Sequence, residues 1–160
     1  MRRLFGVVVA AAMLLGPALV QNAFAQEQQA TQQQSSPPLT FDGEIALWSI
    51  GVNPDKTADF EQVLTKLKEA LMKSGKPEAK QQAAGWKVMR GVTNPQTGQI
   101  IYTHVINPVV KGADYSIMSI IYEVFKDPEE QRKYFELYRG SFGQNLGANV
   151  GRVVTDLSRP

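Results

Sequence analysis

Apolar and polar positions alternate along the chain in a way that predicts short elements separated by turn-forming residues. Residues 44–52 are apolar on both alternating faces, which predicts a strand covered on both sides. Residues 56–74 predict a helix, because apolar side chains recur there at helical spacing. These side chains are Phe60, Val63, Leu64, Leu67, Ala70 and Leu71. A solvated face is predicted for Glu61, Gln62, Lys66, Lys68 and Glu69.

Residues 85–107 predict a β-hairpin. Asn94, Pro95 and Gly98 supply a tight turn, and β-branched and aromatic residues fill both flanks. A register with Thr93 opposite Gln99 gives the pairs Trp86–Ile106, Val88–His104 and Arg90–Tyr102.

The two faces of this hairpin differ in chemistry, because side chains alternate along a strand. One face combines aromatic and polar groups, namely Trp86, Arg90, Tyr102 and His104. The other is small and apolar, with Met89, Gly91, Ile101, Thr103 and Val105. Small apolar residues suit packing against helices. We therefore expect the aromatic and polar face to be bare.

The second half of the chain predicts helices followed by a strand. Residues 113–125 carry two apolar stripes at helical spacing, which favours a helix, although an alternating strand also fits. Asp127 and Pro128 form a helix start, and that helix is expected to run to Arg139. A loop is expected over 141–149, and a last strand over 150–157.

The element order is strand, helix, strand, strand, one or two helices, strand. This order predicts an α+β fold of the ferredoxin-like βαββαβ type, with an antiparallel sheet and helices on one face. The other face of such a sheet is left bare. A bare apolar face is expected to be covered by a partner or a ligand.

The amino terminus predicts export. Two arginines, an apolar run and an Ala-x-Ala site ending at Ala25 are typical of a secretory signal peptide over 1–25. Residues 26–41 are rich in Gln, Ser and Pro and predict a disordered tether. The folded domain is expected over 42–158. We expect a secreted or periplasmic protein with no membrane contact after cleavage.

Charge and composition exclude several function classes. Of 17 basic residues, Arg2 and Arg3 leave with the signal peptide, so 15 remain against 15 acidic ones. A neutral chain gives no electrostatic case for nucleic acid. The absence of cysteine excludes thiol chemistry. One histidine and scattered carboxylates predict no metal site, and no cofactor motif is present.

A resemblance rests on the element order and on residues 52–60, Val-Asn-Pro-Asp-Lys-Thr-Ala-Asp-Phe. This strand end, turn and helix with an early Phe resembles the opening of the dimeric α+β barrel superfamily, which includes the antibiotic-biosynthesis-type monooxygenases. The resemblance implies a homodimer whose two sheets face each other. Haem-degrading members use a histidine on a helix, whereas His104 is predicted on a strand, so that site is not carried over.

Three functions fit the hairpin. The first is a homodimer that binds a small, partly apolar ligand through Trp86, Arg90, Tyr102 and His104 in the cleft at the sheet face. The second is a cofactor-independent monooxygenase or isomerase with His104 as the catalytic base. The third is a purely structural interaction module, because aromatic residues and Arg are also enriched at interfaces.

Overall fold

The computed structural model describes residues 38–157. The predicted signal peptide and most of the predicted tether lie outside the described residues. The strands are β1 (Ile45–Val52), β2 (Trp86–Thr93), β3 (Ile100–Ile106) and β4 (Phe142–Gly151). The helices are α1 (Thr57–Lys73), α2 (Pro77–Gly85), α3 (Ile117–Val124) and α4 (Pro128–Ser141).

The four strands form one antiparallel sheet in the order β2-β3-β1-β4. The predicted α+β class and antiparallel sheet are confirmed. Two helices, α1 and α2, connect β1 to β2, and two more, α3 and α4, connect β3 to β4. The chain therefore carries more helices than a βαββαβ unit with one helix in each crossover. None of the helices between residues 38 and 157 is long and apolar enough to cross a membrane.

The hairpin of β2 and β3 has the predicted register over most of its length. Three predicted pairs are present, namely Trp86–Ile106, Val88–His104 and Arg90–Tyr102. The ladder becomes irregular after Arg90, so that Thr93 pairs with Ile100 and not with Gln99. The turn contributes to this closure, because the Asn94 N–H donates to the Gln99 carbonyl over 2.7 Å.

The helical reading of the second half is confirmed. Residues 117–124 form α3, and Asp127 caps α4 by accepting a hydrogen bond from the Glu129 N–H at 3.3 Å. The last strand lies earlier than predicted, over 142–151 and not over 150–157. This Gly- and Asn-rich segment has low strand propensity. Its pairing with the central strand β1 overrides that propensity.

Helices cover the sheet face formed by even-numbered residues of the two central strands. All four even-numbered side chains of β1 are buried, namely Ala46, Trp48, Ile50 and Val52. Tyr102, His104 and Ile106 of β3 are buried beside them. The aromatic face of the hairpin is thus covered over β3 and partly covered over β2, where Trp86 and Val88 are half-buried and Arg90 is exposed. The prediction that this face is bare is wrong.

The physical reason is the larger apolar area of the aromatic face. A buried aromatic side chain removes roughly 150–250 Å² from water, which at about 25 cal/mol per Å² stabilises the fold by about 4–6 kcal/mol. The other face carries Met89, Ile101 and Val105, which are smaller than aromatic rings, and Gly91 and Thr103, which add little apolar area. The polar atoms do not offset this gain, because the Trp86 indole and the Tyr102 hydroxyl find partners within the fold.

The solvated face predicted for α1 is also partly wrong. Lys66 is only 7% exposed. Its Nζ lies 2.6 Å from a Glu130 oxygen, 3.0 Å from a Glu69 oxygen and 3.3 Å from the centre of the Phe125 ring. This ammonium group joins α1 to α4 and to the end of α3, so its burial is compensated by two carboxylates and an aromatic face.

Packing of the amino-terminal segment begins before the predicted start of the domain. Phe41 is buried, with its ring centre 5.3 Å from that of Tyr115. The Leu39 N–H donates to the Asp114 carboxylate over 2.9 Å, and its carbonyl accepts from the Tyr115 N–H. Leu39 and Phe41, which lie at the end of the predicted tether, therefore pack against the domain.

A close approach at the end of α2 gives a stability test. A Cβ on Gly85 would lie 2.8 Å from the Pro108 carbonyl oxygen and 3.1 Å from that of Asn107, and backbone cannot easily shift. We expect Gly85→Ala to lower the free energy of unfolding by roughly 2 kcal/mol. Gly75→Ala, where no heavy atom lies within 4 Å, is the control and should not destabilise. Urea unfolding measures both, and equal midpoints would contradict the packing described.

Candidate functional site

Of the four predicted site residues, three belong to an aromatic cluster, which we define as Trp48, Phe60, Trp86, Tyr102 and His104, and Arg90 lies beside it. All of its members are buried except Trp86, which is half-buried. The His104 ring stacks on Trp48 with centroids 4.5 Å apart, and the Trp86 ring centre lies 5.6 Å from it. Phe60 of α1 contacts Tyr102 edge to face at 4.9 Å. The cluster joins three strands to α1 and lies beneath the helical layer.

His104 is a neutral core residue in this arrangement. The Trp86 indole Nε1 donates to His104 Nδ1 over 3.0 Å, so the neutral ring carries its proton on Nε2. Nε2 is buried and has no hydrogen-bond partner among the described residues. Burial lowers the pKa of His104 from 6.5 to about 4. The imidazole is therefore uncharged at neutral pH.

Tyr102 and Arg90 meet a third residue, Glu61 of α1. The Tyr102 hydroxyl donates to Glu61 Oε1 over 2.7 Å, and Arg90 Nη1 lies 3.3 Å from the same oxygen. Burial, and then this hydrogen bond, raise the pKa of Tyr102 to about 12. Sequence reasoning assigned Glu61 to the solvated face. Its helical position alone gave no signal that it reaches across to β2 and β3.

The cluster offers little to a substrate. His104 has no exposed surface, so a reactant reaches it only if the helical layer moves. A general base needs hydrogen-bond access to the proton that it removes. Between residues 38 and 157 no group of three His, Asp or Glu side chains could hold a metal ion. His104 is therefore not accessible as a general base in this arrangement.

The odd-numbered face of the sheet, which we call the open face, is the uncovered one. Leu47 is 41% exposed and Met89 is 55% exposed, and both lie on this face with the half-buried Val105. At its centre the Ser49 and Thr103 hydroxyls are 3.0 Å apart and hydrogen-bonded. The open face is thus apolar with a small polar centre. None of the four predicted site residues contributes to it.

One end of the open face is closed by Gln99. Its side-chain amide lies directly against Gly51 and Gly143, where any Cβ would collide with it. The Gln99 Oε1 atom is buried and has no hydrogen-bond partner in the described part of the chain. This amide needs glycine at both positions, which explains why the strands lack side chains there.

Comparisons with protein-family models, with curated proteins and with solved structures find no match to this chain. Residues 38–157 form an α+β domain with a four-stranded antiparallel sheet and four α-helices. The resemblance to the dimeric α+β barrel superfamily stays a prediction.

The buried imidazole predicts a pH-dependent stability. Because the pKa of His104 is lowered in the folded state, the unfolded chain binds the proton first as pH falls through 6.5. Stability is then lost progressively between pH 6.5 and about 4. We expect a loss of about 2 kcal/mol between pH 7 and pH 5 from this group alone.

His104→Gln isolates the effect, because an amide oxygen can still accept from Trp86 but does not titrate. Urea unfolding at pH 7 and pH 5 should show a smaller loss for the variant than for the natural protein. The chain contains one histidine, so no other side-chain imidazole contributes. An identical pH slope in the two proteins would show that His104 is not buried as a neutral group.

Proposed function

We propose that the protein is an exported homodimer of the ferredoxin-like type, in which the open faces of two copies pack against each other. The observation that carries this proposal is the apolar surface that no helix covers on strands β1, β2 and β3, with Leu47 and Met89 exposed and Ile101 and Val105 half-buried. Monomeric proteins rarely leave a contiguous surface of this kind in water.

The strand order supports the ferredoxin-like assignment. β3 lies between β1 and β2, and β1 lies between β3 and β4. Each helical crossover thus joins two strands that have a third strand between them, as in a split β-α-β unit. The extra helices α2 and α3 lengthen the crossovers without changing this order.

A second copy suits the open face better than an unrelated partner does. Among residues 38–157, the strands place one charged side chain on this face, Lys87 at its β2 border, so burial of the middle costs little desolvation. A two-fold interface is self-complementary, because the same apolar patch meets itself. The core of such an interface is depleted in charge and enriched in Met and large apolar residues.

We further propose that the space between the two sheets holds a small, partly apolar ligand. The hydroxyls of Ser49 and Thr103 place a polar pair in the middle of an otherwise apolar surface. Ligand sites combine apolar walls with a few polar groups of this kind. The ligand then touches the open face, and the aromatic cluster supports the sheet from behind without contacting the ligand.

Leu47→Glu tests the dimer. A charge in the centre of the proposed interface should weaken association by at least about tenfold, because two carboxylates would be buried across the two-fold axis. Phe135→Glu is the control: Phe135 is an apolar residue of α4 that is 39% exposed, close to the 41% of Leu47. Light scattering during gel filtration gives the mass of each protein. A natural protein that stays monomeric at micromolar concentration would overturn the dimer proposal.

Native mass spectrometry of the protein purified from its own host tests the ligand. We expect the mass of two chains plus a small molecule that is released when the dimer dissociates. Thr103→Val should reduce retention of that molecule while keeping the dimer, since it removes one hydroxyl and little volume. A dimer whose mass is that of two bare chains would leave the structural module as the function.

A further inference from the structure

A second surface lies on the opposite side of the sheet, between α1 and β2. It is a groove of about 470 Å³ with mainly apolar walls. Helix α1 supplies one wall with Leu64, Leu67, Leu71 and Met72, and Trp86 and Val88 of β2 supply the other. Its volume lies within the range of small ligand sites, roughly 300–1,000 Å³. The structure of the wall that β2 forms determines which class of ligand the groove fits.

Strand β2 is an edge strand, because the sheet order places β3 on only one side of it. An antiparallel ladder alternates hydrogen-bonded and non-hydrogen-bonded pairs. The Asn107 N–H donates to the Gly85 carbonyl over 2.8 Å, which makes this pair a hydrogen-bonded one. Because hydrogen-bonded pairs recur at every second residue, Lys87 and Met89 also direct their backbone N–H and C=O groups toward β3.

Trp86, Val88 and Arg90 consequently direct their backbone N–H and C=O groups away from β3, toward the free edge. No strand of the sheet lies on that side of β2, so the ladder leaves the outward groups of Val88 and Arg90 without a partner strand. Two even-numbered side chains of β2, those of Trp86 and Val88, line the groove. The free backbone edge and the apolar groove thus lie side by side on the same strand.

We propose that this edge and groove bind an extended peptide segment of another protein, which adds to the sheet as a fifth strand beside β2. Its backbone would pair with the outward groups of β2. Its alternate side chains would enter the groove, since successive side chains of a strand point to opposite sides. The chemistry of the groove selects apolar residues at every second position.

Charge at the rim adds a preference. Lys68 lines the groove on α1 and has no ion pair with any described residue. The other lysines near it on the helix, Lys66 and Lys73, are both paired with carboxylates. An acidic residue or a terminal carboxylate on the peptide would therefore find one unpaired cation. A small apolar molecule would use the groove but leave the backbone edge unpaired, so the peptide accounts for both features.

The proposal can be tested with a displayed library of random twelve-residue peptides selected against the protein purified from its own host. The expected result is an enriched set with apolar residues at alternate positions and an acidic group near one end. In two-dimensional amide NMR, a synthetic peptide from that set should shift the amide signals of Trp86, Val88 and Arg90. It should leave the open-face signals of Ser49 and Thr103 unchanged.

Matched variants identify the groove. Met72→Glu places an acid in the groove at a side chain that is 62% exposed, and it should weaken binding of the selected peptide by about tenfold or more. Gln62→Glu adds the same charge at an exposed position of α1 away from the groove and should have little effect. Val88→Pro removes one outward N–H but no ladder bond, and should weaken binding without unfolding the sheet.

Three outcomes would overturn the proposal. The first is that no peptide is enriched, or that enriched peptides bind equally well to the Met72→Glu variant. The second is that decanoate fills the groove and no selected peptide competes with it. Binding of decanoate would be seen as shifts of the Trp86 indole signal and the Val88 methyl signals. The third is that Met72→Glu changes the oligomeric mass, which would assign the edge of β2 to contacts between copies. The Leu47→Glu dimer test is independent of all three.

Discussion

The contact between Phe60 of α1 and the buried face of the sheet holds the layers of this protein together. Phe60 is fully buried, with its ring 4.9 Å from Tyr102 on one side and 6.4 Å from Tyr138 of α4 on the other. One side chain thus joins β3 to both long helices. Around it His104 and Trp48 fill the space over the central strands. Because interiors are close-packed, a change in any one of these rings is transmitted to the others.

Burying these amphipathic side chains imposes a second constraint, because each polar atom needs a partner within the layer. The Trp48 indole donates to Asn145 over 3.1 Å, the Trp86 indole to His104, and the Tyr102 hydroxyl to Glu61. Each of these bonds crosses between different elements, so the polar atoms fix the register of strands and helix. The Nε2 atom of His104 is the exception, and its missing partner adds to the cost of charging the ring.

The sequence predicted the pairing of the hairpin but not its orientation. Pairing depends on the turn and on alternation, and both are local. Orientation depends on which face buries more apolar area after its polar atoms are satisfied. The polar atoms are satisfied by distant residues: Glu61 lies 41 residues from Tyr102, and Asn145 lies 97 residues from Trp48. A rule that sends polar-tipped aromatic residues to a bare surface fails when distant residues supply their hydrogen bonds.

Dependence on residues that are distant in the sequence also explains two wrong predictions, the position of the last strand and the solvated face of α1. Residues 142–151 have few β-branched side chains, and their strand is set by pairing with β1. The helical pattern predicts Lys66 in solvent because its partner Glu130 is 64 residues away, in another helix, and gives no local signal. In contrast, the limits of α1 depend on the spacing of its apolar residues and the start of α4 on its Asp127 cap, both within one segment, and these predictions were correct.

Strand β2 contributes to both the open face and the groove, and different residues of the strand contribute to each. Its odd-numbered residues, such as Met89, direct their side chains to the open face and their backbone groups to β3. Its even-numbered residues, such as Val88, direct their side chains to the groove and their backbone groups to the free edge. A dimer at the open face therefore leaves the donors, acceptors and side chains of the groove free. Since the ladder holds residues 86–90 of β2 in one register, both surfaces can be occupied without rearranging the sheet.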